Sequence, residues 1–553
     1  MQTFEILVAL LLAGTVLAAA ARHFGAPYPA LVALGGAAIA LFPGAPDFSL
    51  DPELALALFV APVLADAAFD ASPRDLRVHW RQIASLAVGA VALTVVAVAA
   101  VARLLVPDMP WAAAIALGAI VAPPDASAAT TVLKQLRPPH QLMVILEGES
   151  LFNDASALLV YRLAVGAMIT GLFSSWNVLP VLLAMTAGSV VLGLLLSKIT
   201  VAIMRRIPDI STVVVFQFCS TFGAWVLAEH LHLSGIITLV VFAMAAARSS
   251  PEILPARIRV SAWAVWEVAV FVLNVLAFIL VGFQLKSIAA RVTQATEAKY
   301  LLVAAAVCAT VIVARIVWVA VAAAFGRRRC RLSADAAKAS MRLIALSKPG
   351  AAVVGWCGMR GIVTLAAALA LPIGGEGIAP FPYRDLILVC AFGVVLGTLV
   401  LQGLTLRPLL QRLGLEDDGS VEREVSLARI ETLRVALEVT AANQGTETID
   451  LVRHRYELQL RRAEESLAYQ LEAATDISPA SEEPHTPTLG DTEDHDVAVL
   501  LAAMEARRHR LLALRTDGTI GDAAFQLVEE EIDWAELHSS HLFRTGQQRK
   551  GKI

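Results

Sequence analysis

Charge is scarce in this chain: Asp, Glu, Lys and Arg make up only 17% of its 553 residues, while 57% are apolar. A soluble domain averages roughly 25% charged residues, so a wholly soluble protein is excluded and a membrane protein is expected. Cysteine is scarce too. Cys219, Cys308, Cys330, Cys357 and Cys390 lie far apart, with no CxxC spacing and no nearby His pattern. A disulfide framework and a metal centre are therefore set aside, and the five read as packing residues. The polar C-terminal region has no nucleotide-binding glycine loop, Cys/His metal spacing or catalytic triad, so neither an enzyme nor a cofactor is expected. The net charge of −4 averages two unlike regions and gives no reason to expect nucleic acid as a partner.

What the chain does have is a series of long apolar runs over residues 1–412, followed by ordinary polar sequence over 413–553. Hydrocarbon ~30 Å thick needs ~20 apolar residues per helix. By that measure thirteen spans are expected in an all-α, polytopic membrane domain. They lie near 3–21, 27–43, 52–70, 82–106, 111–134, 140–172, 178–203, 211–229, 233–247, 262–285, 300–325, 349–372 and 384–406. The first reads as a span rather than a cleavable signal because it lacks a basic n-region, although the alanines before Arg22 resemble a cleavage site. Basic residues alternate from loop to loop. Arg22, Arg74/Arg77/Arg81, Lys134/Arg137, Arg205/Arg206, Arg248/Arg257/Arg259 and Arg327/Arg328/Arg329/Arg331 share one side; Asp47, Asp51, Asp108 and Glu376 share the other, where only the loop with Lys286, Arg291 and Lys299 is clearly basic. The positive-inside rule then puts the N-terminus outside and the C-terminal region in the cytoplasm of a multi-pass plasma-membrane protein.

Thirteen spans divide into six, a linker and six, which gives two units of opposite topology, an arrangement common in secondary transporters. The fifth span of each unit is interrupted. ALGAIVAPPDASAATTVL carries Pro123 and Pro124, and VVGWCGMRGIVTLAAALALP carries Gly355, Gly358 and Gly361. Prolines cannot donate backbone hydrogen bonds and lipid offers no substitute partner, so carbonyls freed at such breaks must be met inside the protein. Asp125 lies at the first break and Arg360 at the second.

The sixth span contains LEGESLFNDASALLVYR, which puts Glu149, Asn153 and Asp154 in an otherwise apolar helix. An ionisable group at that depth costs at least ~2.5–3.5 kcal/mol, so it is expected to face a partner, a cavity or a transported ion. Glu149 and Asn153 are four apart on one face; Ser150 and Asp154 share a face about 100° around. Arg315 and Arg360 each need an internal partner, and Glu149, Asp154, Asp125, Asp66 and Glu267 are the acids at comparable depth. Pairing one arginine with Glu149 would leave Asp154 without a fixed cation, the state an exchanging carboxylate needs.

LEGESLFNDA, GMRGIVTLAAALALP and VLQGLTLRPLLQRLGL, in that order and spacing, resemble the matching segments of the bacterial monovalent cation/proton antiporters, the group that includes the sodium/proton exchangers. The similarity covers roughly residues 5–415, and FPYRDLILVCAFGV and FILVGFQL narrow it to the bacterial sodium/proton branch. The resemblance implies a fold of two inverted six-helix repeats with crossed broken helices. It also implies that Asp154 alternately binds the cation and the proton, and that Asn153 stands where electrogenic relatives carry a second aspartate. Ser150 and the break around Pro124 and Asp125 contribute to the ion site, with the transported Na+ held on Asp154 and Ser150. Glu149 and Arg315 resemble the structural ion pair of such proteins, Arg360 their broken-helix arginine, and a homodimer is expected. One departure is the Pro124-Asp125-Ala126 triplet, which lacks the threonine many relatives have before the aspartate.

The expected activity is exchange of Na+ or Li+ for H+, one for one and electrically silent. A potassium/proton antiporter of the same fold is the alternative, and an intramembrane aspartyl protease using Asp125 and Asp154 the remote one. Asp66 and Asp70 are expected to meet Arg74 or line an entry vestibule. Glu229, His230 and His232 read as a solvated helix end, Glu267 and Asn274 as helix-packing residues, and Arg162 as setting the field above Asp154 or snorkelling. In the tail, Ile430/Leu433/Leu437, Ile449/Val452/Tyr456/Leu460 and Phe525/Val528/Ile532 have helical spacing. Asn443-Gln444-Gly445 separates the first two helices, residues 475–496 read as a mobile linker, and the whole as a helical regulatory tail.

Overall fold

A chain segment crossing lipid must satisfy its backbone internally, which leaves helices as the economical solution for runs this apolar. The computed structural model describes residues 2–24, 26–42, 52–136, 138–170, 175–289, 294–331, 347–373, 380–415, 417–442, 447–473 and 494–550. Asp47, Asp51, Arg137, Arg291, Glu376, the 443–445 break and most of the 475–496 linker lie outside the described residues. Among the described residues all regular structure is helical.

Among the described residues, eight helices are long and apolar enough to cross a membrane: Trp80–Leu105, His140–Ile169, Leu183–Met204, Ile210–His230, Gly235–Ile253, Ala256–Lys286, Glu297–Arg328 and Arg384–Leu413. The other five expected spans take other forms. The first is the helix Gln2–Phe24 and the second the short apolar helix Tyr28–Ala40. The third passes through a π-helical turn at Leu56–Val60 and ends in an acidic stretch at Ala61–Asp70. The fifth and twelfth are cut in two by their prolines and glycines.

We number the helices used below α1 (Gln2–Phe24), α2 (Tyr28–Ala40), α3 (Ala61–Asp70), α4 (Val91–Leu105), α5 (Trp111–Val121), α6 (Ala126–Leu136), α7 (His140–Thr170), α8 (Ser175–Met204), α9 (Ile210–His230), α10 (Gly235–Ile253), α11 (Ala256–Ala289), α12 (Gln294–Arg331), α13 (Lys348–Trp356), α14 (Ile362–Leu369) and α15 (Arg384–Leu413). The chain divides into two units. In the first (1–71, 76–250 and 265–416), α4 to α7 and α12 to α15 pack on one another around a core that includes Leu117, Leu133, Ile145, Val307, Val353 and Val395. Small residues let neighbours close up: a Cβ on Gly36 would overlap the Ile279 carbonyl, and one on Gly282 the Ala33 carbonyl, so α2 and α11 touch backbone to backbone. A second π-helical turn, Ser85–Ala90, precedes α4. Its displaced carbonyls find side-chain donors: the Trp318 indole donates to Ser85 O (3.0 Å) and the Ser156 hydroxyl to Ala87 O (2.5 Å).

The second unit (72–75, 251–264 and 417–553) is built on helices α16 (Ser420–Ala442), α17 (Glu447–Ala473), α18 (Asp494–Thr516) and α19 (Asp522–Lys550). Leu433, Val452 and Tyr456 are buried in one apolar cluster, and Phe525, Val528 and Ile532 in another, so the spaced residues of the sequence form its core. Within this unit Arg259 donates to both carboxylate oxygens of Asp533, and Arg508 donates to Asp533 (2.8 Å) and Glu536 (2.6 Å). Glu529 lies beside them, and burial pushes its carboxyl up to about 6 against the pull of Arg259 and Arg508.

Candidate functional site

Pro123 and Pro124 end α5 at Val121, and residues 122–125 run unwound before α6 begins. Likewise α13 ends at Trp356, and 357–361 run unwound to α14. The two unwound strands bind each other: the Asp125 N–H donates to Met359 O at 2.7 Å.

Two charges balance the four helix ends made by these breaks. Arg360 is 1% exposed; its Nε donates to Val121 O (3.0 Å), its Nη2 to Ala122 O (3.2 Å) and its Nη1 to Gly358 O. Its guanidinium thus occupies the negative C-terminal ends of both α5 and α13. Asp125 serves the N-terminal ends. Its Oδ1 accepts from the Ser127 N–H (2.9 Å) and hydroxyl (2.7 Å), capping α6. Its Oδ2 lies against Gly361, which opens α14, and a Cβ there would overlap that oxygen. Glycine is the residue that permits this approach. The Arg360 N–H is held by the Thr398 hydroxyl of α15 at 3.0 Å.

α7 passes beside the crossing. Glu149 and Arg315 pair across helices, Nη1 to Oε1 at 2.5 Å and Nη2 to Oε2 at 2.9 Å, and Arg315 Nε donates to Val354 O at 3.1 Å. Both side chains are 2% exposed. One turn on, the Asn153 Nδ2 donates to Pro124 O at 2.7 Å. That acceptor is a carbonyl, so the amide orientation is fixed. Asn153 Oδ1 then points away, buried and without a hydrogen-bond partner among the described residues. Asp154 is buried, and among the described residues its carboxylate has no hydrogen bond or ion pair. Asp125 is the acid close enough to act on it electrostatically. Ser150 lies one turn before Asp154 on the same face of α7.

The residues expected at the ion site, with the structural pair, therefore lie on or beside one crossing: Asp154, Asn153 and Ser150 on α7, Pro124 and Asp125 on one strand, Arg360 on the other, and Glu149–Arg315 behind them. Outside it, Arg162 donates through Nη2 to both carboxylate oxygens of Glu229 (2.9 and 2.8 Å). No group of three or more His, Cys, Asp and Glu able to hold a metal occurs among the described residues, and His230 is bonded to Val226 O. Asp66 and Asp70 both come under the charge of Lys134 at the end of α6. Asn274 is buried, whereas Glu267 is exposed.

Sequence reasoning did not find Thr398, which holds the Arg360 backbone, nor Ser156 and Trp318, which hold the π-helical turn. Thr398 and Trp318 stand among apolar neighbours, and Ser156 follows the Asn153–Asp154 pair; their positions give no further signal.

The family model described as "Sodium/hydrogen exchanger, transmembrane" matches residues 7–412. An uncharacterised Na+/H+ exchanger of Mycobacterium tuberculosis is 29% identical over 545 residues, 96% of this chain and 94% of that one. A sodium, potassium, lithium and rubidium/H+ antiporter of Bacillus pumilus is 28% identical, over 79% of this chain and 66% of its own. Among solved structures, the sodium proton antiporter MjNhaP1 of Methanocaldococcus jannaschii has a similar fold, with a TM-score of 0.56 at 19% identity over 75% of this chain and 99% of that one.

Proposed function

Because the chain belongs to the sodium/hydrogen exchanger family, and so is a multi-pass membrane antiporter of monovalent cations and protons, we propose that Asp154 is the group both ions compete for. The observation that carries this is the distribution of buried charge. Glu149 is spent on Arg315, and Asp125 and Arg360 are spent on helix ends, which leaves Asp154 without a fixed counter-charge.

A bare carboxylate held away from water is costly, and a proton or a cation relieves that cost equally well. A Na+ ion takes several oxygens. Asp154 supplies its carboxylate and Asn153 its unpartnered Oδ1; Ser150 and the second lone pair of Pro124 O complete the set where the threonine is missing. Such a set is weak enough to release the ion. A site loaded with one proton or one cation is neutral and crosses the low-dielectric barrier, whereas the empty carboxylate does not. One-for-one, electrically silent exchange follows from that asymmetry. We place the motion in α4–α7 and α12–α15, which pack together, rocking against the remaining helices. Thirteen crossings in two inverted repeats, an external N-terminus, a cytoplasmic regulatory tail and a homodimer belong to the same reading.

Na+ or Li+ is the cargo this reading favours. K+ is the second, because the Bacillus pumilus relative is named for sodium, potassium, lithium and rubidium together. The test is proteoliposomes carrying a pH gradient and a pH dye. Na+ or Li+ should collapse the gradient at a rate indifferent to imposed voltage, and Asp154→Asn should abolish the response. Normal exchange by Asp154→Asn refutes the assignment of Asp154, and steep voltage dependence refutes the stoichiometry.

A further inference from the structure

Thr398, Gln402 and Thr405 form one stripe along α15, spaced i, i+4 and i+7. The two outer members each bond the interrupted segment opposite: Thr398 receives the Arg360 N–H at 3.0 Å, and Thr405 receives the Trp356 indole N–H at 2.9 Å. α15 therefore runs antiparallel to that segment, and Gln402 is level with its unwound residues 357–359. Met359 confirms the register, since its sulfur lies 3.4 Å from where a Cβ on the adjacent Gly403 would be. Gln402 is 0% exposed, and neither Oε1 nor Nε2 has a hydrogen-bond partner among the described residues. A primary amide can take part in four hydrogen bonds, and burying all of them unmade is strongly unfavourable. At the same level of the opposite segment, the Met359 N–H and the Cys357 carbonyl are likewise without a partner among the described residues. Orphaned donors and acceptors on two adjoining segments are the set that an ordered water needs.

We propose that Gln402 is a positioning residue that ties α15 to the unwound strand 357–359 through bound water. The strand it holds carries the Met359 carbonyl, which receives the Asp125 N–H at 2.7 Å. Asp125 follows Pro124, whose carbonyl holds Asn153 beside Asp154. Gln402 thus acts on the ion site at one remove, through the geometry of both unwound strands, and touches neither cation nor proton. The inference rests on the antiporter reading above for its kinetic consequence and on the structure alone for its consequences in stability and exchange.

The test is Gln402→Leu in the full-length protein, assayed for Na+-driven H+ release in proteoliposomes and for melting in detergent. Apparent KM for Na+ should rise at least ~3-fold with the maximal rate changed less than ~2-fold, as expected for disturbed ground-state binding. The melting temperature should fall. Gln402→Asn, which keeps an amide and leaves room for one more water, should restore KM to within ~2-fold of the parent. A Leu variant with unchanged KM and a higher melting temperature would overturn the proposal, because the amide would then be an unpaired burden. If the Leu variant does not assemble, Gln402→Met keeps the volume, and hydrogen exchange over residues 356–362 should be faster than in the parent; unchanged exchange overturns the proposal too. A parent protein that exchanges no Na+ would defeat the antiporter reading, and melting and hydrogen exchange would still judge Gln402.

Discussion

The same chemical change, carboxylate to amide, is expected to have opposite effects on stability at Glu149 and Asp154, five residues apart on α7. At Glu149 the carboxylate receives two hydrogen bonds, of 2.5 and 2.9 Å, from a guanidinium that is 2% exposed. Two unit charges ~4 Å apart interact by about 4 kcal/mol at an effective dielectric of ~20. Removing one partner of a buried pair typically costs about 3–5 kcal/mol, because the other charge stays buried without compensation. Glu149→Gln leaves Arg315 with the Val354 carbonyl and one amide oxygen. At Asp154 no fixed cation is lost, and Asp154→Asn removes a buried charge that nothing balances. In melts of the detergent-purified protein, Glu149→Gln should lower the transition by roughly 4–6 °C, while Asp154→Asn should leave it level or raise it. The double change Glu149→Met with Arg315→Met removes both charges and should recover more than half of the loss. If both amides destabilised alike, the division of α7 into a paired acid and an unpaired one would be refuted.

Other outcomes follow from single contacts. Gly361→Ala puts a methyl group into Asp125 Oδ2, so it should abolish ion exchange in proteoliposomes and lower the melting temperature, with Gly355→Ala much milder. The Arg162–Glu229 pair is 45% and 37% exposed, so Glu229→Gln should change stability by less than about 1 kcal/mol in a thermal or denaturant melt. Glu529 has its carboxyl raised to about 6 from an ordinary 4.5 by burial. A raised acid favours the folded state when protonated, so its stabilisation is complete below pH ~4.5 and lost as pH rises through ~6. Hydrogen exchange over 522–536, corrected for intrinsic rates, should be more protected at pH 5 than at 7.5, and Glu529→Gln should remove most of that difference.

Much of the crossing was legible because interruption leaves a mark in composition. Pro123–Pro124 and the Gly355, Gly358 and Gly361 series locate both breaks, and an acid and an arginine at those breaks stand out against apolar neighbours. The pairing of Glu149 with Arg315 was open on depth alone, since five acids were available; the likeness to known antiporters singled it out. What could not be read depends on which distant helices meet. Asn153 reaches Pro124, 29 residues away, and Arg360 reaches Val121 across 239 residues. No periodicity encodes such encounters. Asp66 and Asp70 show the limit from the other side: the charge they come under is that of Lys134, on a helix far along the chain.

The π-helical turn at Ser85–Ala90 has a consequence for descent. A π turn holds one residue more than an α turn, so it arises most simply from a single-residue insertion into an ordinary helix. Antiporters that branched off before the insertion should be one residue shorter here. Their α4 would present a face rotated by about 100°, and the indole at the position of Trp318 and the hydroxyl at that of Ser156 would have no displaced carbonyl to bind. A gap of one residue at this place should therefore travel with loss of that tryptophan and that serine, three changes inherited as a set.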